Sequence, residues 1–136
     1  MLRYIVVSIA SGLLFGVLDG VINANPLARR LLAVYQPIAR TSINAPAGIA
    51  IDLAYGFALA GMFVLLSGSL PGSSGLVKGL SFGAGVWFLR VVMGAASTWM
   101  MFNVSGKTIA YTVVTGLAEM LALGILYGLT LAPAGK

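Results

Sequence analysis

The stretch LSFGAGVWFLRVVMGAASTWMMF, residues 80–102, decides the fold of this chain. It is almost entirely apolar, and Arg90 near its middle is its one charged residue. Its length matches the roughly 20 residues that an α-helix needs to cross the hydrocarbon core of a bilayer. An arginine at that depth costs about 3 kcal/mol on insertion scales, so it needs a partner within the protein. The stretch therefore predicts a transmembrane helix whose charge faces neighbouring helices.

Three further apolar runs have the same character. They cover residues 4–22, 49–68 and 109–131, and each contains one acidic residue. The chain of 136 residues is 60% hydrophobic and only 8% charged, whereas an average soluble domain is about 25% charged. We therefore expect an all-α integral membrane four-helix bundle that forms a single transmembrane domain.

The location that follows is a membrane that the chain crosses several times, which would be the inner membrane of a bacterium if the source is prokaryotic. A cleaved signal peptide is the alternative interpretation of the first run, because Arg3 precedes it. The orientation of the termini stays open, since the basic residues divide almost evenly between the two sides.

Several classes of chemistry are excluded by composition. The chain has no cysteine and no histidine, so thiolate or imidazole metal sites and histidine acid–base catalysis are impossible. We expect no cofactor, no metal and no catalytic residue. The net charge of +5 does not indicate nucleic-acid binding, because the eight basic residues are scattered rather than clustered. All three acidic residues fall within the apolar runs, so the remaining segments are basic and suit the anionic headgroups of a lipid bilayer.

The connection between the first two runs predicts a short interfacial helix over residues 26–36. Asn25 can cap it, Pro26 suits its first position, and Pro37 ends it. Arg29 and Arg30 are expected to contact lipid headgroups. An irregular loop is the alternative.

Small residues recur along two of the predicted helices at a spacing of four. In lipid no hydrophobic gain drives helix association, so close backbone approach through small residues must supply much of it. We expect a packing role, with a surface for ligand approach as the alternative, for Gly12, Gly16 and Gly20 in the first run and Gly124 and Gly128 in the fourth.

The two opposite charges of the third and fourth runs are expected to meet. The runs are joined by the short connector 103–108, so they must be antiparallel neighbours, and Arg90 and Glu119 then lie at similar depth. An intramembrane ion pair between Arg90 and Glu119 follows. It would fix the register of the helices or dock a partner helix, or it would take part in proton or ion movement.

Asp19 and Asp52 lie close to the first-loop edge of their runs and form a second predicted pair. The two aspartates lie at the same depth in the membrane if the first two helices are in contact. Two level aspartates can share a proton and activate water, as in an intramembrane aspartyl hydrolase. Neither aspartate stands in a motif of such enzymes, so an enzyme is not expected.

Two hypotheses for function remain. The first is a non-catalytic accessory or assembly subunit of a larger membrane complex, whose partners are other transmembrane subunits. The second is a small proton- or ion-coupled transporter or channel, which would act as a homo-oligomer because four helices alone enclose little polar volume.

Overall fold

The structure is a computed structural model that describes residues 1–40 and 42–132. Every regular element in those ranges is helical. In chain order the elements are α1 (Leu2–Ala24), α2 (Pro26–Leu31), a 3₁₀ segment (Ala33–Ile38), α3 (Ala45–Leu66), α4 (Gly75–Val86), a π segment (Trp87–Val92), α5 (Met93–Met101) and α6 (Gly106–Thr130). Because α4, the π segment and α5 form one continuous helix, four helices are long and apolar enough to cross a membrane. The predicted all-α four-helix bundle is confirmed, and its apolar helices fit a multi-pass membrane protein.

The spans begin earlier than the apolar runs suggested. The side chain of Asn44 accepts a hydrogen bond from the backbone of Ala47 at the start of α3, Ser74 does the same for Val77, and Ser105 for Thr108. Each cap satisfies a backbone N–H group that the first turn leaves without a partner. The first turn after such a cap contains small and polar residues, which is why a count of apolar residues places the start too late.

The helices associate in two tight pairs, α1 with α3 and α4 with α6, and α1 also contacts α6. Glycines line both pairs. A Cβ atom at Gly12 would lie 2.9 Å from the carbonyl oxygen of Asp52, and one at Gly79 would lie 2.9 Å from Cα of Gly128. These backbones are in van der Waals contact, an arrangement that any larger side chain would prevent.

The predicted packing glycines do not all behave alike. Gly12, Gly124 and Gly128 lie against the backbone of a neighbouring helix, and Gly16 lies against the side chain of Asp52. At Gly20 an added Cβ would meet no heavy atom within 4 Å among the described residues. The prediction of a packing contact at Gly20 therefore finds no support within a single chain, because α1 has diverged from α3 at that height.

A cluster of aromatic rings fills one end of the bundle. Phe63 of α3 packs edge-on against Phe82 of α4, with ring centroids 5.5 Å apart, and Tyr127 of α6 lies within 6.1 Å of both rings. All three side chains are buried. We call Phe63, Phe82 and Tyr127 the aromatic plug.

The segment between α1 and α3 differs from the predicted interfacial helix. The side chain of Asn25 caps α2 through the backbone of Ala28, as expected, but α2 ends at Leu31 and continues as the 3₁₀ segment. Pro37 lies within that segment. In an α-helix the ring of Pro37 would clash with the carbonyl group of Ala33, so residues 33–37 are not α-helical, although α2 has already ended at Leu31.

Candidate functional site

Three charged residues of the spans, Asp19, Arg90 and Glu119, line a cavity at the end of the bundle opposite the plug. The cavity has a volume of about 340 Å³ and lies between α1, α6 and the π segment, beneath the 3₁₀ segment. Its polar lining consists of Asp19, Asn23, Tyr35, Arg90, Tyr111, Thr112, Thr115 and Glu119. A second cavity of about 390 Å³ shares Tyr35, Arg90, Val91 and Thr112 with the first. We call the two adjoining cavities the vestibule.

Glu119 lies in the middle of α6 at the inner end of the vestibule. At 1.5 Å per residue it is about 20 Å from the start of α6. Glu119 is only 4% exposed, and its Oε1 atom has no hydrogen-bond partner among the described residues. The side chain of Asp19 on α1 faces the same carboxyl group, close enough for the two charges to interact directly. The structure thus brings together Asp19 and Glu119, a pair that the sequence did not reveal.

Arg90 reaches the vestibule from the opposite wall. Its guanidinium carbon lies 5.1 Å from the ring centre of Phe15 and 4.9 Å from that of Tyr55. The two rings stack on each other at 5.0 Å, so the cation rests on an aromatic surface built by α1 and α3. A cation over aromatic faces gains about 0.5–2 kcal/mol, depending on its desolvation.

The predicted ion pair between Arg90 and Glu119 stays a prediction. Both side chains line the vestibule, and their charges are close enough to interact. In residues 1–40 and 42–132, however, no carboxylate oxygen lies within 4.0 Å of a guanidinium nitrogen of Arg90. The aromatic surface rather than a carboxylate positions this cation.

The π segment determines how Arg90 is placed. A π-helical turn contains more residues than an α-helical turn, so it rotates the residues that follow, and such turns are frequent at functional sites. Trp87, the first residue of the segment, donates a hydrogen bond from its indole nitrogen to the carbonyl oxygen of Val113 at 2.9 Å. This bond ties the widened turn to α6 beside the vestibule.

Asp52 lies outside the vestibule. It lines a shallow apolar groove on the surface of α1 and α3 together with Gly12 and Gly16. Its charge is still close enough to interact with that of Asp19. The two aspartates of the predicted acidic pair therefore line different cavities, because Asp19 points toward α6 and Asp52 points toward Gly16.

The mouth of the vestibule is held by hydrogen bonds between α6 and the end of α1. The hydroxyl of Tyr111 donates to the carbonyl oxygen of Ile22 at 2.5 Å and accepts from the side chain of Asn25 at 2.8 Å. The hydroxyl of Thr108 donates to the carbonyl oxygen of Leu31. These bonds fix α2, and with it Tyr35, over the polar cavity. Arg29 and Arg30 are exposed on α2, and their contact with lipid headgroups stays a prediction.

No protein-family model matches the sequence, and neither a curated protein nor a solved structure shows significant similarity to the chain. The function is therefore inferred from the geometry of the site.

Proposed function

We propose that the protein is a small transporter that takes up a proton or another cation at Asp19 and Glu119, from the side of the bundle that carries α2. The observation that carries the proposal is the pair of carboxyl groups facing each other deep in a polar vestibule, with Glu119 buried and one of its oxygens unpartnered.

The charges that line the vestibule do not balance. Asp19 and Glu119 bring two negative charges against the single positive charge of Arg90. Two neighbouring carboxylates in a medium of low dielectric cannot both stay ionised without compensation. A proton or a bound cation supplies that compensation, and a carboxyl group within a membrane is a group that commonly carries protons along a transport path.

The shape supports a carrier rather than an open channel. The vestibule reaches the middle of the membrane, and beyond it the aromatic plug fills the space between α3, α4 and α6. Passage to the other side then needs a conformational change. We expect that change to bring Arg90 onto Glu119 and form the ion pair that the sequence predicts.

Reconstitution of the purified protein into liposomes tests the proposal. A pH-sensitive dye inside the liposomes reports proton uptake after a potential is applied. Glu119→Gln and Asp19→Asn should each slow uptake at least about tenfold, since losing a charged partner in a buried site costs about 1.5–3 kcal/mol. Asp52→Asn is the matched control, because it removes the same charge from outside the vestibule. Equal rates for all three variants and the unchanged protein would refute the proposal.

An accessory subunit is the second candidate, and one observation favours it. Arg90 is in the middle of its span, yet more than a third of its surface is exposed. A guanidinium group cannot face acyl chains cheaply, so another helix or another copy of the chain would have to cover it if water does not. Purification in mild detergent distinguishes the candidates. A subunit should bring other proteins with it in fixed ratio and be unstable alone, whereas a homo-oligomeric transporter should remain active by itself.

A further inference from the structure

We infer that the vestibule binds a small zwitterionic solute, with its ammonium group at Asp19 and Glu119 and its carboxylate at Arg90. The inference rests on the proposed transport function and names its substrate class. Charges of opposite sign line this one cavity without direct contact between them.

With both carboxyl groups ionised, the acidic wall has no hydrogen-bond donor of its own. Oε1 of Glu119 is buried and has no hydrogen-bond partner among the described residues, although Glu119 lines the cavity. Leaving such an atom unsatisfied costs about 1–3 kcal/mol, so its presence in a folded protein calls for an explanation. An ammonium group supplies three donors, enough for Glu119 and the neighbouring Asp19 together.

The basic wall offers complementary chemistry. The rings of Phe15 and Tyr55 lie beside the Arg90 guanidinium group, with their centres 5.1 and 4.9 Å from its carbon. No described residue accepts a hydrogen bond from its N–H groups, so these are left for a ligand. A planar guanidinium group presents them as a fork that matches the two oxygens of a carboxylate.

The volume sets the size of the solute. Cavities of about 340 and 390 Å³ are at the small end of the range for ligand sites, which is about 300–1,000 Å³. An amino acid fits, and Tyr35, Thr112 and Thr115 supply apolar and hydroxyl surface for its remaining atoms.

The separation of the charges favours a zwitterion over a simple cation. A zwitterion gives both Arg90 and one of the two carboxylates a partner in direct contact, and the other carboxyl group can then hold a proton. A cation alone would balance the net charge of the site but would leave Arg90, which has no carboxylate oxygen of the described residues within 4.0 Å, without such a partner. The solute and one proton would therefore move together, which explains why one site contains two carboxyl groups and one guanidinium group.

Equilibrium binding to the purified full-length protein tests the inference. The probes are alanine, leucine and 4-aminobutyrate. Each is compared with its amine (ethylamine, 3-methylbutylamine, propylamine) and with its acid (propionate, 4-methylpentanoate, butyrate). At least one zwitterion should bind at least about tenfold more tightly than both of its single-charge analogues, the effect of one charge-assisted hydrogen bond.

Variants assign the two ends of the solute. Arg90→Lys keeps the charge but loses the fork, and it should weaken binding of the zwitterion several-fold without affecting the amine. Glu119→Gln should weaken both the zwitterion and the amine. Asp52→Asn should affect both less, because Asp52 lines another cavity and acts on the pair only through its charge. The thermal unfolding transition of each variant without probe checks that the variant is folded.

The inference is overturned if none of the three zwitterions binds, or if none binds at least about tenfold more tightly than both its amine and its acid. Proton uptake that still depends on Glu119 would then leave the proposed transport function standing. Absence of both binding and uptake would remove the two together.

Discussion

The continuous helix from α4 to α5 packs against α6, and this helix pair packs differently at its two ends. Near the plug, Gly79 and Gly124 face each other and the backbones touch. Near the vestibule the helices are held apart by side chains, and at Gly116 it is the side chain of Val91 that fills the space. Backbone contact extends from the plug end to the middle of the pair, where Gly83 lies against the backbone of Met120, and it leaves the other end free to contain polar atoms and water.

The difference follows from the physics of a bilayer. Lipid chains are as apolar as leucine, so helices gain little from hiding apolar surface and must gain from close contact. Close contact along the full length would leave no room around Arg90 and Glu119, whose charges need polar neighbours. Glycines at one end therefore supply association, and the π segment opens the other end.

The largest effect is expected where the backbones touch. In Gly79→Ala the added methyl group would lie 2.9 Å from Cα of Gly128, and only a shift of the backbone can relieve it. We expect a loss of about 1–3 kcal/mol in the free energy of unfolding, measured by denaturant titration in detergent. Gly85→Ala, on the same helix with no heavy atom within 4 Å of the new group, is the control. A similar loss in both variants would contradict the account.

A smaller effect is expected at the π segment. Trp87→Phe keeps an aromatic ring but removes the hydrogen bond to Val113, so we expect a loss of about 0.6–1 kcal/mol in the same titration. Trp99→Phe is the matched variant, since Trp99 is 64% exposed on α5. Should Trp99→Phe be the more harmful of the two, the π segment would not be anchored as described.

The smallest effect is expected at Gly20. Because nothing lies within 4 Å of the position that a Cβ would take, Gly20→Ala should change the free energy of unfolding by less than about 0.5 kcal/mol. Gly16→Ala should cost more, since its methyl group would lie 2.7 Å from Oδ2 of Asp52. If Gly20→Ala instead disperses an oligomer on size-exclusion chromatography, this face of α1 contacts another copy of the chain.

The sequence predicts the bundle well because lipid imposes one length and one composition on every span. It also predicts the cap at Asn25, since that residue and Pro26 have local roles. The neighbours of each charge are harder to predict. The depth of Glu119 predicts that it lies level with Arg90, and both side chains line the vestibule. The approach of Glu119 to Asp19 depends instead on how α1 is rotated against α6, which no local pattern encodes.

The sequence pattern also predicts neither the π segment nor the role of Tyr35. Residues 87–92 are ordinary apolar residues around one arginine, and nothing in their identity indicates a widened turn. Tyr35 reaches the vestibule only because Thr108 and Tyr111 hold α2 in place. Both features result from contacts between residues that are distant in sequence.

The proposed transport function requires the vestibule to hold water within the span. The accessibility of a single introduced cysteine measures this directly. The chain contains no cysteine, so Thr115→Cys in the vestibule and Val114→Cys on the outer surface each introduce one thiol at the same depth. Because only a thiolate reacts, and it forms only in contact with water, a charged methanethiosulfonate reagent should label Thr115→Cys in liposomes at least about tenfold faster. Equal labelling of the two variants, or faster labelling of Val114→Cys, would contradict the account.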